Sequence, residues 1–139
     1  MSVEIRRATA ADAHAILHLW READAEPSHT DTIAGVTALV RHDAAALVVA
    51  VDTDGQRMVG SVIAAWDGWR GSIYRLAVAP DHRREGLGRR LLAAAEARLL
   101  DVGAVRSQAI VVETDTQATG FWHATEWTQQ ANRLRFVRG

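Results

Sequence analysis

The chain has 139 residues, no cysteine and a formal net charge of −1. The lack of cysteine excludes disulfides, cysteine-ligated zinc and a cysteine nucleophile, and the small charge gives no whole-molecule attraction for nucleic acid. The longest apolar run, 44–51, is shorter than the roughly 20 residues of a membrane helix, and the first ten residues lack a signal-peptide stretch. We expect one cytoplasmic domain, 1–139, with no nucleic-acid or membrane partner.

Apolar periodicity in the first half of the chain predicts two helices between short strands. In chain order the predicted elements are a strand at 2–7, helices at 12–22 and 31–41, and strands at 47–51, 58–66 and 72–78. The turn signals Asp54–Gly55 and Asp67–Gly68 separate the last three strands. Such short links predict three consecutive antiparallel strands.

The second half begins with a strongly amphipathic stretch. The predicted elements are a helix at 86–102, a strand at 105–112, a short helix at 115–123 and a closing strand at 134–137. Gly103 follows the long helix as a C-terminal stop. A strand, helix and strand over about thirty residues imply a parallel crossover. The fold class is therefore α+β, with a mixed, mostly antiparallel central sheet flanked by helices.

The segment 76–88, LAVAPDHRREGLG, reads as a buried strand ended by a proline, a charged loop and a helix start. A helix start carries unpaired N–H groups and a partial positive charge, and glycine lets a ligand approach the backbone closely. Four arginines against two acidic residues give 81–90 a net charge of +2. This segment predicts an anion site, most simply for a phosphate chain.

Two competing motifs are weaker. A dinucleotide fingerprint requires a third glycine where Leu91 stands. His14 and His18 have the spacing of metal ligands on a helix, but no third ligand is evident. We expect no metal site.

The strand, the LAV triplet, the proline and the run Arg83-Arg84-Glu85-Gly86-Leu87-Gly88 resemble the acyl-CoA-binding signature of the GCN5-related N-acetyltransferases, the GNAT family. The order of elements is similar to that fold over nearly the whole chain, and the likeness is sharpest at 72–127. Within the family the chain looks most like small, single-domain bacterial acetyltransferases. The resemblance implies a GNAT-like fold with a β-α-β acyl-CoA-binding crossover.

The resemblance also implies acetyl-CoA as co-substrate and assigns residues to it. The backbone of Leu76, Ala77 and Val78 would pair with the pantetheine arm, and the Val78 amide would polarise the thioester carbonyl. The pyrophosphate would lie against the N–H groups of Arg83, Arg84, Glu85, Gly86, Leu87, Gly88 and Arg89. The side chains of the three arginines in that set either contact phosphate or face water.

The family's motif Asn-x-x-Ala-x-x-x-Tyr follows the fifth strand, and the matching positions here are Asp115, Ala118 and Trp122. The resemblance places Asp115 and Trp122 in the cofactor-binding set. An indole N–H cannot protonate a thiolate. The thiolate would then leave unassisted, or use water, Tyr74 or His123.

Two residues are candidates for the general base. Alternation on 72–78 predicts one shared face for positions 72, 74, 76 and 78, of which Tyr74 is the titratable member. Glu113 ends the predicted fifth strand and would act through a water. An ordinary strand tyrosine and a solvated strand end remain the alternatives.

The sequence gives weaker signals for the site that binds the acetyl acceptor. In similar proteins the acceptor site is lined by the segment that here holds Glu22, Asp24, Glu26 and His29. These acidic groups would favour a cationic amine, and an ordinary polar loop is the alternative. Trp66 and Trp69 bracket a turn, where they would form an acceptor wall, a homodimer contact or packing on the sheet.

We therefore expect an N-acetyltransferase. It would transfer an acetyl group from acetyl-CoA to a primary amine of a small molecule or peptide, by direct attack in a ternary complex. A catalytically weak acyl-CoA-binding or regulatory module is the alternative, because of Trp122.

Overall fold

The computed structural model describes residues 2–139. The chain forms two compact units, one ending at Ala109 and one spanning Ile110–Gly139. The first unit contains β1 (Val3–Arg7), α1 (Ala13–Glu22), α2 (Ile33–His42), β2 (Leu47–Asp52), β3 (Arg57–Trp66), β4 (Gly71–Val78), α3 (Leu87–Asp101) and β5 (Ser107–Ala109). The second contains α4 (Thr116–His123). The predicted α+β class is confirmed.

The strands of the first unit form one sheet in the order β1-β2-β3-β4-β5. The first four strands pair antiparallel, and β4 pairs with β5 parallel. Short turns join β2 to β3 and β3 to β4, which permits only antiparallel neighbours, whereas α3 carries the chain back for a parallel pair. Both predictions about strand direction are confirmed.

Different helices cover the two faces of the sheet. Adjacent strand residues point to opposite faces, and Gly60 and Ser61 of β3 are such neighbours. A Cβ placed on Gly60 would lie 2.7 Å from Leu91 Cδ1 of α3, whereas the Ser61 hydroxyl accepts from Trp20 Nε1 of α1 at 2.9 Å. Thus α3 packs on one face and α1 on the other, and the core lies on both sides of the buried stretch 59–64.

A β-bulge interrupts the pairing of β3 with β4. The register changes by one residue between the pairs Ser61–Ala77 and Ile63–Tyr74. Arg75 and Leu76 therefore lie together opposite Val62, which defines a bulge on β4. Arg75 has a φ of 51°, a left-handed backbone that a non-glycine residue adopts only when its surroundings hold it.

The bulge overturns the predicted shared face of positions 72, 74, 76 and 78. An extra residue on one strand reverses the alternation beyond it. Tyr74 keeps the face of Ser61 and α1, while Leu76 and Val78 lie on the face of α3. Simple period-two alternation fails here because the strand is irregular.

Two predicted strands differ from the structure. The strand expected at 105–112 is only Ser107–Ala109, which pairs with Gly71–Ile73, and apolar residues on either side, such as Val105 at 96% exposed, stay outside the ladder. The strand expected at 134–137 does not form among the described residues, and Phe136 is 88% exposed. In both places strand propensity lacks a neighbouring strand to pair with, and an unpaired strand is not stable. Within residues 2–139, no helix combines the length and apolarity needed to cross a membrane.

The seam between α3 and the sheet yields a stability prediction. Leu91 is fully buried, whereas Leu100 of the same helix is 78% exposed. We expect Leu91→Ala to lower the free energy of unfolding by about 2–5 kcal/mol, because it removes apolar contacts and leaves a cavity. Urea unfolding followed by circular dichroism measures this. Leu100→Ala is the matched control and should change stability by less than about 0.5 kcal/mol; equal losses in both variants would contradict this packing.

Candidate functional site

The end of β4 presents backbone groups away from β3. The Ala79 N–H donates to the Val59 carbonyl at 2.8 Å, so Ala79 and Val59 form a hydrogen-bonded pair. Hydrogen-bonded and non-hydrogen-bonded pairs alternate along an antiparallel ladder. The next pair, Gly60 with Val78, is therefore non-hydrogen-bonded, and the N–H and C=O groups of Val78 point away from β3. Pairing of β4 with β5 ends at Ile73–Ala109. Within the described part of the first unit, the outer edge of β4 from 74 to 78 therefore faces no strand.

The loop after β4 begins with the short turn Pro80–His82 and is tied to its surroundings by Arg83. Arg83 Nε donates to the Val78 carbonyl at 3.2 Å, and its Nη2 donates to the Ala23 carbonyl at 3.1 Å. The guanidinium thus bridges β4 and the end of α1. Arg84 and Glu85 are exposed, so the arginine side chains of this loop have different surroundings.

The start of α3 leaves backbone donors unpaired. Gly86 precedes the helix with a φ of 80°, and a Cβ placed on it would meet nothing within 4 Å. No side chain from the described part of the chain caps the helix, and the Arg90 N–H donates to the Gly86 carbonyl at 3.1 Å. Among the described residues, the N–H groups from 84 to 88 donate to no acceptor. The buried Leu87 side chain fixes this end of α3 to the core.

His82 anchors the same loop to the sheet. Its side chain is 5% exposed. Nδ1 lies 3.1 Å from Asp81 Oδ1, and Nε2 lies 3.2 Å from Asp52 Oδ2 at the end of β2. Arg57 of β3 extends the cluster with a 2.6 Å contact to Asp81. The sequence offered no spacing signal for this cluster, because its members lie on three separate segments.

The cluster shifts the pKa of its members in opposite directions. The Asp81 contact raises the pKa of His82, against burial, and Asp52 adds to the rise. Arg57 and then His82 lower the pKa of Asp81 to about 2. Burial would raise the pKa of Asp52, but hydrogen bonds from His82 and from nearby backbone N–H groups lower it. The arrangement favours an imidazolium held between two carboxylates.

The acidic segment that begins at the last residue of α1 is partly neutralised. Arg57 contacts Glu22 at 2.8 Å, and Arg75 contacts Asp31 at 2.6 Å. Asp24, Glu26 and His29 are exposed, and no ion pair to them is found among residues 2–139. Only some of the predicted acceptor-binding acids are therefore available as free carboxylates.

The predicted catalytic and aromatic residues of the first unit are accessible to different degrees. Tyr74 is 48% exposed. Trp69 is 70% exposed at the turn after β3, with the Arg70 guanidinium 4.2 Å from its ring centre. Trp66 is half-buried. The acceptor-wall and homodimer roles of the two tryptophans stay predictions.

The second unit carries the remaining predicted residues. Asp115 caps α4, since its carboxylate accepts from the Ala118 N–H at 3.0 Å. Trp122 is half-buried and meets Trp127 edge to face, with ring centres 5.0 Å apart. Glu113 is exposed before the helix. Asp115 therefore has a local structural role whatever else it contacts.

Sequence comparison gives the family. The model of the Acetyltransferase (GNAT) family matches residues 12–125. The chain belongs to the GNAT family. An acetyltransferase of Pectobacterium atrosepticum is 30% identical over 125 residues, covering 90% of this chain and 87% of the relative. The predicted family membership is confirmed, and this GNAT chain is an acetyltransferase.

Solved GNAT structures share the fold at low sequence identity. The PaiA N-acetyltransferase of Thermoplasma acidophilum in complex with coenzyme A has a TM-score of 0.76 and 15% identity, covering 88% of this chain and 87% of that one. AAC(6')-Iy in complex with the bisubstrate analog CoA-S-monomethyl-acetylneamine has a TM-score of 0.73 and 15% identity, covering 100% and 99%. The predicted GNAT-like fold is confirmed. Within residues 2–139, no group of three metal-ligating side chains is found.

The His82 cluster predicts a pH-dependent stability. A pKa raised in the folded state above its ordinary value of 6.5 stabilises the fold fully below that value. The contribution is lost as pH rises through the raised folded pKa. We expect His82→Gln to cost about 2 kcal/mol of unfolding free energy at pH 5.5 and less at pH 9. Urea unfolding across this range measures it. The control is the exposed His18→Gln, and a cost for His82→Gln that grows with pH would contradict the assignment.

Proposed function

We propose that this GNAT chain transfers an acetyl group from acetyl-CoA to a primary amine. One observation supports the proposal above all: backbone N–H donors lie at both ends of the short loop between β4 and α3. The outward N–H of Val78 ends β4, and the unpaired N–H groups from 84 to 88 open α3. An acyl donor with a thioester at one end and phosphates at the other requires donors in that order.

The phosphate end fits a pyrophosphate through backbone rather than side chains. Unpaired N–H groups at a helix start bind anions well. Gly86 leaves open space in front of them, and a φ of 80° favours glycine at that position. Of the predicted donors from Arg83 to Arg89, the N–H groups of Arg84, Glu85, Gly86, Leu87 and Gly88 are the ones proposed to bind the pyrophosphate. The Arg83 N–H instead donates to the Pro80 carbonyl at 3.4 Å. Because Arg83 also binds two carbonyls, its side chain supports the loop in the absence of phosphate.

The thioester end relies on β4. The outer edge of β4 at Leu76, Ala77 and Val78, which pairs with no strand of the described first unit, can accept the pantetheine arm as an added strand. The Val78 N–H would donate to the thioester carbonyl and favour negative charge there as the amine attacks. Because this donor is a backbone group, side-chain substitution at Val78 should leave it in place.

Proton transfers involve the predicted side chains. A neutral amine attacks the carbonyl carbon, the C–N bond forms and the C–S bond breaks, and the amine proton must leave. Tyr74 on β4 and Glu113 are the proposed acceptors of that proton, the latter through a water. The matching position of the family's leaving-group tyrosine is Trp122, so we propose that the thiolate, with a free thiol pKa near ~8.5, leaves without a side-chain acid. Asp115 and Trp122 would contribute to the cofactor-binding segment.

The absence of a tyrosine at position 122 favours one alternative function. A chain that holds acyl-CoA through β4 and the α3 start, but lacks an acid for the thiolate, could act as a binding or regulatory module. This alternative shares every acetyl-CoA contact proposed above. Turnover therefore separates the two functions, and binding does not.

The unpaired N–H groups from 84 to 88, together with the open space at Gly86, form what we term the phosphate cradle. It predicts a binding defect in Gly86→Glu. The new carboxylate would stand before the unpaired N–H groups and repel phosphate, so the affinity for acetyl-CoA should fall at least ~100-fold. Isothermal titration calorimetry measures this. Gly103→Glu is a matched control at the other end of α3, with a φ of 90° and open space around its Cβ position. Both variants carry similar backbone strain, and normal acetyl-CoA affinity in Gly86→Glu would overturn the proposed cradle.

The leaving-group hypothesis predicts a gain from Trp122→Tyr. A phenol can protonate the thiolate, so the kcat of thiol release should rise by roughly 10-fold or more, within the range of general acid catalysis. The assay follows free thiol after mixing acetyl-CoA with a panel of polyamines, aminoglycosides and peptide N-termini. Tight acetyl-CoA binding with no turnover in either protein on any amine would favour the binding module.

A further inference from the structure

The backbone that is proposed to hold the thioester follows directly on the bulge of β4. Arg75 and Leu76 lie opposite one residue of β3, and Arg75 has a φ of 51°. This conformation is unfavourable for arginine, so it persists only where surrounding contacts hold it. A shift of the bulge would turn the following residues to the other face. The orientation of 76–78 therefore depends on what holds Arg75.

The main chain of Arg75 is held by a buried relay. Its carbonyl accepts from the Ser61 hydroxyl at 2.8 Å, and that hydroxyl accepts from Trp20 Nε1 at 2.9 Å. Ser61 is fully buried, and Trp20 is 4% exposed. A hydroxyl has one proton to donate. Because the Ser61 oxygen accepts the Trp20 N–H, the Ser61 proton is free to be donated to the Arg75 carbonyl in the bulge. The relay connects α1, β3 and β4.

The side chain of Arg75 is held as well. Its Nη2 donates to Asp31 Oδ2 at 2.6 Å and to the Glu26 carbonyl at 2.8 Å. The guanidinium lies 5.2 Å from the Trp20 ring centre. The side chains of Arg75 and Asp31 are 18% and 19% exposed, so this ion pair is screened less than a surface pair. Asp31 also accepts from the Ser28 N–H at 3.1 Å, so Arg75 and Asp31 together contact the backbone at Glu26 and Ser28, within the segment 23–32.

We propose that Arg75 is a positioning residue. Its carbonyl and its guanidinium together hold the β4 bulge and the segment 23–32 in the one arrangement that aims the backbone of 76–78 at the thioester. This inference rests on the proposed acetyl transfer. Arg75 itself touches neither substrate; it acts through the backbone that follows it and through the segment between α1 and α2.

The principal test uses Arg75→Gly and Ser61→Ala. Glycine adopts a φ of 51° easily, so Arg75→Gly removes the side-chain contacts without adding backbone strain. Because small displacements of reacting groups slow catalysis strongly, we expect kcat to fall about 10- to 100-fold in each variant. The Kd for acetyl-CoA, set largely by the phosphate cradle, should change less than about threefold. Arg75→Lys should recover part of the lost kcat, because it restores one donor and the charge.

A second measurement does not need activity. Hydrogen–deuterium exchange with mass spectrometry should show faster exchange in the peptide spanning 74–78 in Arg75→Gly and Ser61→Ala, with α3 unchanged. Arg41→Ala, at an exposed arginine on α2, is the control and should change neither exchange nor kcat. If the wild type turns over no amine, the proposed function fails, and exchange alone decides the role of Arg75. Unchanged exchange at 74–78 in both variants would overturn the proposal, as would an unchanged kcat in an active enzyme.

Discussion

The left-handed backbone at Arg75 is the constraint on which the proposed acyl-donor site depends. One extra residue on β4 reverses the faces of everything after it, so that Leu76 and Val78 no longer share the face of Tyr74. The conformation is unfavourable in isolation and is maintained by contacts from α1, β3 and the segment after α1. Packing on one face of the sheet thereby sets the backbone geometry at its edge.

A second set of contacts fixes the loop that follows. His82 joins it to the end of β2, Asp81 joins it to β3, and Arg83 joins it to the carbonyls of Val78 and Ala23. With His82 and Arg83 engaged in these contacts, the exposed part of the loop that follows them consists of Arg84, Glu85 and Gly86 with their backbone N–H groups. Unpaired N–H groups at a helix start suit the phosphate groups of the proposed co-substrate through geometry and partial charge.

The sequence predicted most of the fold because its signals were local. Helix periodicity located α1, α2 and α3 to within a few residues, and two turn signals set the antiparallel order of β2, β3 and β4. One failure was the shared face on β4, which the bulge reverses. The others were the extent of β5 and the strand at 134–137, where propensity required a partner that the described chain does not supply. Pairing between strands that no short turn joins is a long-range property, so no local pattern reports it.

For the candidate site, the sequence by itself predicted an anion-binding loop, since glycines and arginines stand between a strand and the start of a helix. It also identified the family and the unusual tryptophan at position 122. Only the tertiary structure decided which side chains hold that loop and the strand before it. His82 with Asp52, and Arg75 with Ser61 and Asp31, are separated by 14 to 44 residues along the chain. Such residues meet only because the sheet and α1 pack together, and their spacing carries no periodic signal.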